Sequence, residues 1–164
     1  SAASDVYKRQ DSPSGDGFAQ ESFVDIGTLA TISEFSSPQA GLMLLRCTAG
    51  ERFRITRRSR MKHGLWVADV QALPPDAPTT VPPDLQLVAQ ALQNVITQLQ
   101  ARGSELPTPL QPPYQFEDCG WVANRWCELL QLPPELKQSL MQLDNPLLRL
   151  ELVGDFLSRS GIQA

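Results

Sequence analysis

The stretch Ile26-Gly27-Thr28-Leu29-Ala30-Thr31-Ile32-Ser33-Glu34-Phe35, followed after a short polar break by Gly41-Leu42-Met43-Leu44-Leu45-Arg46-Cys47-Thr48-Ala49-Gly50-Glu51-Arg52-Phe53-Arg54-Ile55, decides how this chain folds. Its first run, Phe23–Phe35, is rich in β-forming residues, with Gly27 read as a bulge or bend. Gly41–Thr48 is a continuous apolar run, short enough for a buried strand. From Arg52 the pattern alternates, placing Arg52 and Arg54 on one side and Phe53 and Ile55 on the other. The break Ser36–Gly41 reads as a hairpin loop between two strands. A fourth run, Leu65–Leu73, is stopped by Pro74 and Pro75. Together they predict an antiparallel β-subdomain over residues 23–73.

Beyond a proline-rich linker at 74–83 the period changes. Leu85, Val88, Ala89, Leu92, Val95, Ile96 and Leu99 recur every three or four residues, predicting a helix with Asp84 as its N-cap and Gly103 at its end. Its outer face carries Gln, Asn and Thr and no charge. Asp118 is placed to cap a second helix through Leu130, Pro134 to open a third, and Asn145-Pro146 to start a fourth closed by Gly161. Strands followed by helices give an α+β class, with a four-helix subdomain over 84–161.

The order of motifs carries a resemblance. Gly27-Thr28-Leu29-Ala30, Phe35, Cys47 and Arg52-Phe53-Arg54-Ile55 are followed by Gly120-Trp121-Val122-Ala123-Asn124-Arg125-Trp126-Cys127-Glu128-Leu129-Leu130 and Leu143-Asp144-Asn145-Pro146-Leu147-Leu148-Arg149-Leu150. This succession resembles the N-terminal substrate-binding domain of the Lon protease family, and in its second half the stand-alone bacterial Lon-domain proteins. The resemblance covers residues 23–158. It implies a PUA-like antiparallel β pseudobarrel and a non-catalytic role in recognising unfolded or partner polypeptides, linked to proteolysis or quality control. The family's opening strands and first helix have no counterpart here, so the pseudobarrel is expected to be incomplete at its N-terminus, with unpaired edges.

Residues 1–10, Ser-Ala-Ala-Ser-Asp-Val-Tyr-Lys-Arg-Gln, match the in-frame translation of a sequencing-library transposon adapter and are read as non-native. Without Asp5, Lys8 and Arg9 the formal charge moves from −4 to −5. Residues 11–22 are expected to be a flexible segment. The native start is expected upstream, so a missing signal peptide says nothing about location; a cytoplasmic setting is inferred from the cysteines. Of the three, Cys119 and Cys127 lie about 12 Å apart along one helix, too far to bridge. At the other end Ser160–Ala164 stops the last helix, which favours a stand-alone protein; the alternative is the N-terminal fragment of a complete ATP-dependent Lon protease.

Catalytic chemistry has little to stand on. The single histidine, His63, sits beside Gly64 in a basic turn and reads as a surface residue. There is no phosphate-cradling glycine loop, no nucleophile elbow, and no zinc spacing among the cysteines, so no cofactor, metal or catalytic residue is assigned. Glu117 and Asp118 read as helix-terminal acids. No segment approaches the roughly 18 apolar residues of a membrane span.

Charge offers the competing reading. Between Arg46 and His63 lie seven of the 14 basic residues against Glu51 alone, a local charge of +6 that leaves the rest of the chain at −10. Arg52, Arg54, Arg57, Arg58, Arg60 and Lys62 are therefore candidate contacts to an anionic partner, and an RNA-binding PUA-like module is the alternative function. RNA readout also asks for exposed aromatics on the basic face, and only Trp66 qualifies. For a polypeptide client the candidate contacts are Met61, Trp66 and the Gln-rich face of the first helix, with Trp121 and Trp126 assigned to the core. A protease or regulatory partner is the remaining expected company.

Overall fold

The computed structural model describes residues 22–103 and 110–161. The adapter-like residues 1–10 and nearly all of the expected flexible segment 11–22 lie outside them. The chain divides into two compact units, one ending at Pro75 and one starting at Asp76.

The first unit is an antiparallel three-stranded sheet in the order β1-β2-β3. β1 runs Ile26–Gln39, β2 runs Leu42–Arg60 and β3 runs Trp66–Ala72. The two runs separated at Ala49-Gly50 are one 19-residue strand. Gly50 and Glu51 lie opposite Leu29 in a bulge, which absorbs the break in alternation and lets the strand continue. The hairpin loop is tighter than expected: Gln39 already pairs with Leu42, and Gly41 takes φ 80°, which glycine adopts without strain. Gly27 is not the bulge. It stands opposite Phe53, and a Cβ there would lie 2.8 Å from the ring's Cζ, so the absent side chain is the seat for a ring that is 2% exposed. The sheet does not close, in keeping with an incomplete pseudobarrel. Leu42–Leu45, expected in a buried strand, are exposed. The apolar run was long enough for burial, but among the described residues of this unit no second layer covers it.

The second unit holds all four α-helices: α1 Gln86–Ala101, α2 Cys119–Leu129, α3 Pro134–Gln142 and α4 Pro146–Arg159. Asp84 does not cap α1. It lies inside a 3-10 turn, Pro83–Leu85, that precedes the helix, and no side chain caps either element. The other terminal signals act as read. Asp118 accepts from Trp121 N–H at 2.8 Å and Thr79 N–H at 3.0 Å, and Asn145 from Leu147 and Leu148 N–H. Leu92, Ile96, Val122, Leu150, Val153 and Leu157 form the centre of one apolar core. Trp126 joins it, 3% exposed, with its indole N–H donating to Val88 O at 3.0 Å. Of the proline-rich stretch 74–83, residues 76–83 pack into this unit: Val81 is in the core, and Thr80 bridges Asp118.

One charged side chain lies in that core. Arg149 of α4 is 2% exposed and uses all three nitrogens. Nε donates to Leu140 O at 3.0 Å, and Nη1 to Asp76 Oδ2 at 2.5 Å and Asn124 Oδ1 at 3.2 Å. Nη2 donates to Asp76 Oδ1 at 3.1 Å and to Leu143 O. A guanidinium matches this cage because its donors form a rigid planar fork.

Candidate functional site

Register settles which side chains share a face of the sheet, because residues directly opposite point the same way. One face carries the pairs Arg54–Gln71 and Arg57–Asp69; the other carries Arg58–Ala68 and Arg60–Trp66. The switch comes from a bulge at Thr56, whose hydroxyl donates to Asp69 O at 3.1 Å. The basic run therefore does not build one stripe. Arg52, Arg54 and Arg57 are separated by the sheet from Arg58 and Arg60.

Several of these bases are engaged within the unit. Arg57 forks onto Asp69, Nε at 2.8 Å and Nη2 at 2.7 Å, and Arg46 meets Glu34 at 3.0 Å. Both pairs are solvent-exposed, so each contributes at most about 1 kcal/mol. Arg58 reaches Phe23 O, and Arg60 donates to Gly64 O at 3.3 Å while its guanidinium lies 5.9 Å from the Trp66 ring. Lys62 and His63 sit in the β2–β3 turn, which Met61 N–H to Leu65 O closes at 2.8 Å.

The two candidate peptide contacts differ. Met61 is exposed at the mouth of that turn. Trp66 is half-buried, with the edge of Phe23 on its ring at 5.1 Å between centroids, so an intramolecular aromatic occupies part of the surface offered to a client. Around the second unit, Gln86 and Gln100 use their amides on Val81 O and the Tyr114 hydroxyl.

Two features escaped the sequence reading. The first is an apolar stripe at the far end of the β1–β2 ribbon. Phe35 pairs with Leu45 and Ile32 with Cys47, so these four share a face, and Met43 joins them by alternation. Phe35, Met43 and Leu45 are 62%, 69% and 48% exposed. The opposite face carries the Glu34–Arg46 ion pair, Thr31 opposite Thr48, and at the ribbon's tip the exposed Leu42 and Leu44. The alternation of Met43, Leu45 and Cys47 was visible, but the bulge at Ser33 that brings Ile32 and Phe35 onto one face was not.

The second is an aromatic group in the helical unit. Trp121, expected in the core, is half-buried and packs edge-on against Phe116 at 5.2 Å and Tyr114 at 6.2 Å, with the Arg125 guanidinium 5.7 Å from its ring. A shallow cleft beside them is lined by Pro78, Thr79, Thr80, Tyr114, Phe116 and Glu117. Among the described residues no group of three or more histidine, cysteine or acidic side chains is arranged to hold a metal ion. Nor, among them, is any helix long and apolar enough to cross a membrane. Burial raises the Cys119 thiol pKa, with Asp118 and Glu151 adding to it, and burial likewise raises that of Cys127, so neither is an activated nucleophile.

The geometry on both units is one of surfaces, and comparison with known proteins agrees. Residues 6–159 match the family model described as the ATP-dependent protease La (LON) substrate-binding domain. The fold is similar to that of a Lon N-terminal domain protein from Xanthomonas campestris, at 27% identity and a TM-score of 0.62, over 80% of this chain and 67% of that one. It is also similar to the N-terminal domain of a Mycobacterium avium complex Lon protease, at 15% identity and a TM-score of 0.54, over 85% of this chain and 73% of that one. No curated protein matches the sequence.

Proposed function

The chain belongs to the family of LON substrate-binding domains, and from that premise we propose that it recognises unfolded or partner polypeptides by non-covalent contact, in the service of proteolysis or protein quality control. The observation that carries this reading is the family match over nearly the whole described chain. The family's domain is non-catalytic, and binding needs only what the sheet offers: an outer strand edge and apolar side chains beside it. Backbone pairing and apolar contact hold many sequences without strict specificity, as a quality-control receptor requires.

The distribution of charge favours a polypeptide over RNA. A phosphate backbone is tracked by cations along one groove, whereas here the bulge at Thr56 divides them between two faces and Asp69 neutralises Arg57. Trp66, the aromatic nearest the bases, lies under Phe23 and Arg60.

The test is a titration of the full chain into a fluorescently labelled, reduced and permanently unfolded protein, read by anisotropy, with the same protein in its folded form as control. Saturable binding of the unfolded form alone is expected. No saturable binding at any ionic strength refutes the proposal. Tighter binding to single-stranded RNA, lost steeply with salt, points to the alternative.

A further inference from the structure

We propose that the face bearing Ile32, Phe35, Met43 and Leu45 is where a client docks, and that the preferred client segment is extended, apolar at alternate positions and acidic at its carboxyl end. This rests on the polypeptide-binding reading above and assigns it a place and a substrate class.

Three observations choose the occupant. The first is the edge. Among the described residues β1 has β2 as its one strand neighbour, and no described strand pairs with the outer side of Ala30–Gln39 beside the apolar face, the side on which a client strand would add. A two-stranded ribbon is marginal alone in water, so covering its more continuous apolar face stabilises both partners. The second is size. Four side chains at 48–69% exposure present on the order of 400 Å² of apolar surface, against the ~800 Å² per partner of a stable protein–protein interface. That area suits a single strand better than a second copy of the chain.

The third is charge. Arg52 pairs with Thr28 and Arg54 with Ile26, and following β1 back from Ile32 through Ala30 keeps these on the same face as the apolar stripe. An antiparallel addition to β1 runs its amino end toward Gln39 and its carboxyl end toward Ile26. Its apolar residues then lie over Phe35, Leu45 and Ile32, and its final residues lie near Arg54 and Arg52. Carboxylates there meet two guanidiniums, so the match is in both polarity and order.

The experiment uses the full chain and three labelled ten-residue peptides, read by anisotropy. Each alternates valine and threonine, and they end in three aspartates, three lysines or three serines. The aspartate peptide is expected to bind about tenfold more tightly than the lysine peptide, with serine between them and the difference shrinking as salt rises. Phe35→Ser with Leu45→Ser should weaken all three at least tenfold while leaving the circular dichroism unchanged, since both positions are exposed. Arg54→Gln should reduce the preference for aspartate and leave serine binding intact. Equal affinity for the three peptides overturns the charge assignment, and unchanged affinity in the Phe35/Leu45 variant overturns the site. If that variant still binds the unfolded protein as wild type does, the docking face is wrong and the polypeptide-binding function stands. If neither protein binds it, the function itself fails. Sedimentation of the chain as a dimer that the Phe35/Leu45 variant dissociates would assign the face to a second copy and overturn the proposal.

Discussion

Removing Arg149 tests the account of the helical unit most severely. The guanidinium donates five hydrogen bonds inside the core, to Leu140 O, Leu143 O, Asn124 Oδ1 and both oxygens of Asp76. Its side chain is 3% exposed and that of Asp76 21%, so solvent screens the pair weakly. Arg149→Met keeps most of the volume and takes the cation from a largely buried carboxylate. Breaking a buried pair from one side costs about 3–5 kcal/mol. Asp76→Leu strands the cation instead and is expected to cost a similar amount. The double variant buries no unmatched charge. It still takes one donor from Leu143 O, while Leu140 O keeps the Leu143 N–H at 3.3 Å, so it should sit about 1–3 kcal/mol below wild type and well above the sum of the singles. The assay is urea unfolding followed by circular dichroism at 222 nm, because every α-helix among the described residues belongs to this unit and the sheet contributes little there. A domain stable by about 5–15 kcal/mol registers each step, and one at the low end shows the single variants already unfolded without urea. Single variants costing under about 1 kcal/mol, or costs that simply add, would refute the idea that this cage ties α4 to α2, α3 and Asp76.

Other expectations follow from single contacts. Gly27→Ala drives a Cβ into the buried Phe53 ring and should destabilise the sheet by about 1–3 kcal/mol, measured as faster amide exchange in β2 around Phe53; pairing it with Phe53→Leu should recover part of the loss. Asp118→Ala removes the acceptor for Trp121 N–H and Thr79 N–H and should lower the stability of the helical unit by about 1–2 kcal/mol in the same urea assay. Burial raises the Cys119 and Cys127 thiols above their ordinary value of 9.0, so above that pH the folded chain holds protons that the unfolded chain has released, and stability falls as pH rises. The slope between pH 9 and 10.5 should flatten in a Cys119→Val, Cys127→Val variant, and an unchanged slope would remove burial as the cause.

How much of this was legible depended on whether a signal was local. Asp118 and Asn145 cap because a short acceptor preceding an amphipathic run meets the N–H groups of the next turn, and nothing distant competes. Asp84 carries the same residue-level signal and fails, because Pro82 and Pro83 hold the chain in a 3-10 turn before the helix begins. The strands were visible, but not their continuity, since Gly50 marks either a turn or a bulge and only the partner strand decides. Gly27 is instructive for the same reason: its role is set by Phe53, 26 positions away, and local rules could name the freedom of glycine without naming its use. Arg149 sits in a helix full of leucines and carried no signal of its burial, because its cage is built from three other parts of the unit.

The bulges connect these points to function. A sequence pattern with period two is read as a face, and each extra residue silently exchanges the faces beyond it. The bulge at Thr56 breaks a dense run of cations into two sets on opposite faces. Those at Ser33 and Gly50 work in the other direction: they place Ile32 with Phe35 and Leu45, and keep that apolar stripe on the side of Arg52 and Arg54. Charge density along the sequence therefore does not say which face each cation takes, and apolar spacing does not either. For a sheet protein of this kind, the anionic or apolar preference of a surface follows from the ladder register, and substitutions that shift a bulge should alter binding preference without altering net charge. Deleting Ser33 is the direct control. It removes the extra residue, so Ile32 opposite Cys47 and Glu34 opposite Arg46 become consecutive pairs, Ile32 stays on the face of Phe35 and Leu45, and the preference for the aspartate-ended peptide should survive; its loss would refute the register argument.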